Sequence, residues 1–93
     1  MNAHSPVGLD HRETVDNYQG EIFRVGRHRI AIGKDGQQWI LQRKRDGKAG
    51  VGSAWDGIHY FRRRVTAVRL WREVVRADGS FIAAYLPEKL IRN

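Results

Sequence analysis

The side chains of this chain that could do chemistry are its cations, and most of them are arginines. The 93-residue sequence has a net charge of +7, and 13 of its 17 cations are arginine. The planar fork of arginine matches phosphates and carboxylates bidentately, and it stacks on flat groups. A basic balance on this scale draws a protein toward polyanions. The charge therefore favours a polyanionic partner before any motif is considered.

The cations cluster at the end of a predicted strand and its following loop, directly before a predicted helix, and on the exposed side of that helix. Side chains grouped in this way neutralise phosphates and release the counterions bound to them. The aromatic residues Trp55, His59 and Tyr60 lie nearby in the sequence and could stack on a base or a sugar. The predicted nucleic-acid-binding residues are Arg43, Lys44, Arg45, Lys48, Arg62, Arg63, Arg64, Arg69, Arg72 and Arg76.

Two other interpretations of these cations stay open. Every exposed helix face and loop needs polar residues, so the arginines could form a solvated surface without a ligand. The same surface could instead receive an acidic protein partner, which would make the chain an inhibitor or an adaptor. The sequence predicts nucleic acid bound through unspecific phosphate contacts, with an acidic protein surface as the alternative. It does not separate DNA from RNA.

Metal and cofactor chemistry finds no support in the residue pattern. The chain has no cysteine, which excludes a disulfide framework and any thiolate metal site. Its histidines share no ligand spacing; they are His4, His11, His28 and His59. We expect neither a metal nor a cofactor.

Catalytic chemistry finds no support either. The serines Ser5, Ser53 and Ser80 lie in predicted turns or in a tail, and none sits in a nucleophile elbow. The glycine-rich stretch 47–50 lacks the Gly-Lys-Ser/Thr ending of a nucleotide-binding loop. No acid and base pair stands out among the scattered carboxylates. We expect a protein that is not an enzyme.

The elements that position the cations follow from the periodicity of the apolar residues. The alternation of apolar and polar residues predicts strands at 18–25, 28–32, 39–44 and 58–61. The glycine-containing segments between them predict a tight turn at 33–36 and a long loop at 45–57. In the strand 39–44, Trp39 and Leu41 share one face, while Ile40 and Gln42 share the other. Residues 81–86 read either as an edge strand or as a short helix, and their two alanines and leucine favour the helix.

Residues 65–76 have the spacing of an amphipathic helix. Apolar residues around Trp71 fill one side, and Arg69 and Arg72 lie on the opposite side. Thr66 suits the N-cap position, and Asp78-Gly79 predicts the end of the helix. Trp71 is expected in the core.

These elements predict an α+β fold with a three- to four-stranded antiparallel sheet and one helix packed on one face. Residues 1–17 read as a disordered tail and residues 18–93 as a single small domain. No stretch approaches the ~18 apolar residues of a membrane span, and residues 1–10 lack the apolar run of a signal peptide. The sequence therefore predicts a cytoplasmic protein with no membrane partner.

The stretches 38–43 (QWILQR), 57–62 (GIHYFR) and 66–71 (TAVRLW) resemble the arm-type DNA-binding domains at the N-termini of tyrosine recombinases. The chain is also similar to small uncharacterised proteins of bacterial phages and plasmids. The first resemblance implies a three-stranded sheet that enters the major groove of DNA, with the helix behind it. It places Gln42, Lys44, Lys48 and His59 on the DNA-facing side. That surface differs from the basic helix face, and the two remain alternatives.

Overall fold

The alternating segments form one antiparallel sheet. The computed structural model describes residues 12–45 and 54–91. The strands are β1 (Glu21–Val25), β2 (His28–Ile32), β3 (Trp39–Lys44) and β4 (Trp55–Phe61). They form a four-stranded sheet in the order β1-β2-β3-β4, and each strand is antiparallel to its neighbour. The predicted α+β class and antiparallel sheet are confirmed.

The two central strands are buried on both faces. Ile30 of β2 and Leu41 of β3 belong to the main core cluster, while Ala31 of β2 belongs to a second cluster. Ile40 alternates with Leu41, and each is 1 % exposed. Since successive side chains of a strand point to opposite faces, both faces of the sheet must be covered.

Helical segments cover the first face. Helix α1 (Arg64–Leu70) continues into a π-helical turn (Trp71–Val75), and a 3₁₀ helix (Ser80–Ala84) follows. The Trp71 ring is buried, as the sequence predicts, and it meets Phe23 and Phe81 edge-on at centroid distances of 5.4 and 5.5 Å. Edge-to-face packing of this kind adds to the stabilisation that aromatic burial provides. The buried residues of this core are Phe23, Ile30, Trp39, Leu41, Phe61, Ala67, Leu70, Trp71, Ile82 and Leu86.

The helix lies within one residue of the predicted 65–76 at each end, but its N-cap differs from the one predicted. The helix begins at Arg64, and no side chain caps it, so Thr66 is not its N-cap. The Arg64 N–H instead donates to the Glu88 carbonyl at 2.8 Å, because the C-terminal segment lies beside this end. The helical turns stop at Val75, before Asp78-Gly79. Contacts with a segment distant in sequence therefore set the first boundary, and local propensity alone does not reveal it.

Two further segments also differ from expectation. Strand β4 begins at Trp55 and not at Ile58, because Trp55 pairs with Lys44 and packs its ring against the sheet. Residues 80–84 are 3₁₀-helical, which agrees with the helical alternative and excludes a strand there.

An N-terminal segment, residues 12–18, covers the second face of the sheet. Val15 and Tyr18 are each 5 % exposed and form a small cluster with Ala31. The Tyr18 hydroxyl donates to the Ile32 carbonyl at 2.6 Å. Residues 12–17 belong to the predicted disordered tail, yet they pack on the sheet. The rest of that predicted tail, residues 1–11, lies outside the described residues. The hydrophobicity of residues 12–18 does not reveal this packing, because most of the contacts between the segment and the sheet are polar.

The side chain of Arg29 holds this segment in place. It is 0 % exposed, and every N–H of its guanidinium donates a hydrogen bond. Nε donates to Gln42 at 2.6 Å. Nη1 donates to the Asp16 carbonyl and the Glu21 carboxylate, both at 3.0 Å. Nη2 donates to the carbonyls of Glu13 and Val15 at 3.0 and 2.8 Å.

The indole of Trp55 completes this buried network. The Arg29 guanidinium lies 4.3 Å from the centroid of the Trp55 ring, within the range of a cation–π interaction. The indole Nε1 donates to Asp16 at 3.0 Å, and this hydrogen bond lowers the pKa of the Asp16 carboxyl. The network thus joins the N-terminal segment to β2 and β4 through one buried charge.

Replacing Arg29 with methionine is expected to lower the free energy of unfolding by about 3–5 kcal/mol. Methionine fills similar space, but it removes five hydrogen bonds and the ion pair with Glu21, and it takes away the donor to the buried side-chain carbonyl of Gln42. Arg29→Lys should fall between methionine and wild type, because an ammonium has fewer donors than a guanidinium. Urea denaturation measures all three.

The control is Arg72→Met, which removes an exposed arginine and should change stability by no more than about 0.5 kcal/mol. An Arg29→Met protein as stable as the control variant would contradict the role assigned to this network.

Candidate nucleic-acid interface

The predicted cations that border the sheet lie at its two ends, and the others lie on the helix or directly after it. At one end Lys44 pairs with Trp55, and at the other Trp39 pairs with Phe61, directly before Arg62. The rise of a strand places these ends about 20 Å apart. Lys48 lies outside the described residues. The cations at the first end, named here the hairpin-end cations, are Arg43, Lys44 and Arg45.

Carboxylates compensate two of the three hairpin-end cations. The Lys44 ammonium is 3.8 Å from Asp16, on the face of the sheet opposite the helix. Arg45 binds Asp56; this hydrogen bond lowers the pKa of the Asp56 carboxyl and raises the pKa of Arg45. Arg43 is exposed and forms no ion pair with any described residue. Of these three cations, Arg43 alone therefore lies without a carboxylate partner among the described residues.

The sheet surface implied by the recombinase resemblance is largely closed. Gln42 is 1 % exposed; its carbonyl oxygen accepts from Arg29, and its amide nitrogen donates to the Glu13 carbonyl at 2.8 Å. The Gln42 side chain therefore cannot read a base, because the N-terminal segment covers it. Trp55 is 0 % exposed and cannot stack on a nucleotide, whereas His59 and Tyr60 are exposed.

A second group of cations surrounds the helix. All of its members are exposed, and they flank α1 or project from its outer side. Arg69 pairs with Glu73 at 3.2 Å, one helical turn away. Among the residues of 12–45 and 54–91, no other member forms an ion pair. This group, named here the helix-side cations, consists of Arg62, Arg63, Arg69, Arg72, Arg76 and Lys89.

The helix-side cations are spaced along one element. Arg69 and Arg72 are three residues apart along the helix, which places them on the same side of it, and Arg76 follows directly after the last helical turn. The helical residues 64–75 extend over about 18 Å at an α-helical rise. Arg62 and Arg63 precede this row. The arrangement can neutralise several phosphates of one strand at the same time.

Arg64, which the sequence includes in the site, has a structural role. Its guanidinium is half-buried, and Nη1 donates to the Leu86 carbonyl at 3.2 Å. Together with the hydrogen bond from its backbone to Glu88, this contact fixes the C-terminal segment beside the helix. Arg64 therefore supports the surface formed by its neighbours.

Arg76 has a backbone conformation that side chains rarely adopt. Its φ of 66° and ψ of 39° are left-handed, and its N–H donates to the Trp71 carbonyl at 3.2 Å. No other described residue except glycine has a positive φ. Glycine is the usual residue at such a helix end, because a Cβ costs roughly 1 kcal/mol there. An arginine kept in an unfavourable conformation points to a function for its side chain.

His28 adds no positive charge to either group of cations. Its ring lies edge-on to Trp71 at 6.3 Å, and Nε2 is buried without a hydrogen-bond partner among the described residues. Burial lowers the pKa of the His28 imidazole below its ordinary value, and the nearby charges of Arg43 and Arg27 lower it further. Both effects favour the neutral imidazole.

Two other classes of site are absent from the described ranges. Residues 12–45 and 54–91 contain no group of three or more histidines, cysteines or acids that could hold a metal ion. In the same ranges, no helix has both the length and the apolar character needed to cross a membrane.

The sequence analysis missed Lys89. This residue forms an isolated antiparallel bridge with Arg63, which brings the C-terminal segment to the start of the helix. Nothing local to Lys89 indicates this pairing, because its partner lies far away in the sequence. The leucine and isoleucine that follow Lys89 are the local sign of a packed segment, and Leu90 packs against the core.

Comparisons with protein-family models, with curated protein sequences and with solved structures gave no match for this chain. The resemblance to the arm-type domains of recombinases stays a prediction.

Arg76→Gly is expected to raise the free energy of unfolding by about 0.5–1 kcal/mol. Glycine adopts a positive φ without the clash of a Cβ, although part of the gain is offset by the flexibility of glycine in the unfolded chain. The midpoint of thermal unfolding should rise by about 2–6 °C.

The matched control is Arg72→Gly, which lies within the helical turns and has no positive φ. This variant should lose about 1 kcal/mol. A decrease in stability of similar size in both variants would contradict the strain assigned to Arg76.

Proposed function

We propose that this protein is a non-enzymatic accessory protein that binds nucleic acid through the helix-side cations. The observation that carries the proposal is a row of exposed arginines in which only Arg69 has a carboxylate partner among the described residues. Positive charge that the fold does not neutralise remains available to phosphates.

The distribution of acids supports the helix side over the sheet side. The carboxylates of Asp16 and Glu21 pair with Arg24, Arg29 and Lys44 on the covered face of the sheet. These two carboxylates therefore offset part of the positive charge of that face. The helix contains one acidic residue, Glu73, and the Glu73 carboxylate pairs with Arg69.

The chemistry of the surface favours phosphate contacts over base contacts. Arginine and lysine dominate it, and the buried Trp55 and Gln42 are not available for stacking or hydrogen bonding to bases. Contacts to phosphates position a protein on nucleic acid but carry little sequence information. We expect weak preference among sequences and a strong dependence on salt.

A second candidate function rests on one exposed apolar residue. Val65 is 70 % exposed and lines a shallow groove with Thr66, Val68, Arg69 and Arg72. A surface that combines valines with arginines also suits an acidic protein partner, for which this chain would be an inhibitor or an adaptor. Nucleic acid is preferred because the cations extend well beyond this groove.

The test is fluorescence anisotropy of labelled single- and double-stranded DNA and RNA of about 20 nucleotides across a salt series. If about five phosphates are neutralised, log K falls with log salt on duplex DNA with a slope of roughly −4 to −5. The double variant Arg62→Gln/Arg72→Gln should make the slope less negative by about 2 units and weaken binding at least ~10-fold.

The matched control removes the same charge from the hairpin end. Lys44→Gln/Arg45→Gln should leave the slope within about 0.5 units of wild type, since carboxylates already compensate both cations. Equal losses in the two double variants would contradict the helix-side interface. No binding at low salt would remove nucleic acid and leave the acidic protein partner.

A further inference from the structure

We propose that the groove formed by Arg62, Arg63, Lys89, Leu90 and Ile91 binds one backbone phosphodiester of a nucleic-acid strand. The proposal rests on the proposed function and names a specific phosphate site within it. It depends on a pairing of two segments that are distant in the sequence.

Backbone hydrogen bonds build the groove. The Leu90 N–H donates to the Arg62 carbonyl at 2.7 Å, and the Arg64 N–H donates to the Glu88 carbonyl at 2.8 Å. These two bonds flank the antiparallel bridge between Arg63 and Lys89. The main chain thus fixes the two segments, and the side chains of the groove are left for other contacts.

The bridge places two cations opposite each other. Residues directly opposite in an antiparallel pair have Cβ atoms about 4.5–5.5 Å apart, and like charges at this position destabilise the pairing. Arg63 and Lys89 are both exposed, and neither pairs with a carboxylate among the described residues. An anion held between them would remove the repulsion, so this pair points to a negatively charged ligand.

The remaining lining fits a nucleotide unit. Arg62 supplies a third cation, and no acidic residue lines the groove. Leu90 and the 72 % exposed Ile91 supply an apolar side on which a sugar or a base can lie. The volume, about 540 Å³, lies within the range of small-ligand sites. Since the groove lies on the open surface, a strand can continue past it in both directions, which suits an internal phosphodiester.

The first experiment measures thermal unfolding in about 50 mM inorganic phosphate and in sodium chloride of equal ionic strength. A ligand that binds only the folded state stabilises it, so phosphate should raise the unfolding temperature of the wild type by a few degrees over chloride. Lys89→Glu replaces the repulsion across the bridge with an ion pair. It should unfold about 2–5 °C above wild type in chloride and should gain nothing further from phosphate.

The control is Lys34→Glu, which makes the same change of charge at an exposed lysine that lines a different groove. This variant should keep the stabilisation by phosphate. A phosphate effect that persists in Lys89→Glu, or that is absent from the wild type, would overturn the site.

The second experiment measures binding of a six-nucleotide single strand with a 5′-hydroxyl and of the same strand with a 5′-phosphate. Similar affinities, both weakened ~10-fold or more by Lys89→Glu, would support an internal phosphodiester. A requirement for the 5′-phosphate would overturn that assignment.

The two proposals can fail separately. Normal nucleic-acid binding by Lys89→Glu would reject the groove and leave the helix-side interface. If phosphate stabilises the protein through Lys89 but no nucleic acid binds, the proposed function is rejected and the groove remains an anion site.

Discussion

The fully buried guanidinium of Arg29 is the constraint on which the other features of this structure depend. A charge without exposure to solvent is tolerated only when hydrogen bonds and counter-charges replace water. Here three backbone carbonyls, the amide of Gln42 and the carboxylate of Glu21 accept every donor that Arg29 has. Three of these acceptors lie in residues 13–16, so that segment must fold onto the sheet for the charge to be buried. A short polar segment thereby becomes part of the domain.

This constraint also determines where the positive charge of the surface lies. The segment that supplies carbonyls to Arg29 also brings Asp16 to the side chains of Arg24, Lys44 and Trp55. The N-terminal segment thus covers one face of the sheet, where carboxylates offset part of the charge of several cations. The helix that covers the other face has no comparable acidic segment over it among the described residues. A basic surface remains there, and it continues to the bridge between Arg63 and Lys89.

The sequence was sufficient for the features that depend on periodicity. The alternation in β2 and β3 and the helical spacing around Trp71 predicted the sheet, the helix and much of the core. The sequence was not sufficient for features that depend on contacts between segments that are distant along the chain. No sequence pattern distinguishes Arg29 from the other cations of the alternating strands. No pattern identifies the residues whose carbonyls accept its hydrogen bonds either. For the same reason, the sequence predicts one cluster of cations, whereas β3 and β4 separate Arg43 and Lys44 from Arg62 at opposite ends of the sheet.

The most direct test of this account maps the surface that nucleic acid contacts, by titrating ¹⁵N-labelled protein with a short duplex and following its amide and indole resonances. The account predicts shifts at Arg62, Arg63, residues 69–76 and residues 89–91. It also predicts that the buried indole of Trp55 and the side-chain amide of Gln42 stay unchanged, since the N-terminal segment covers both. Shifts that centre on Gln42, Lys44 and Trp55 instead would contradict the account, because they would show that the closed face of the sheet is the one that binds.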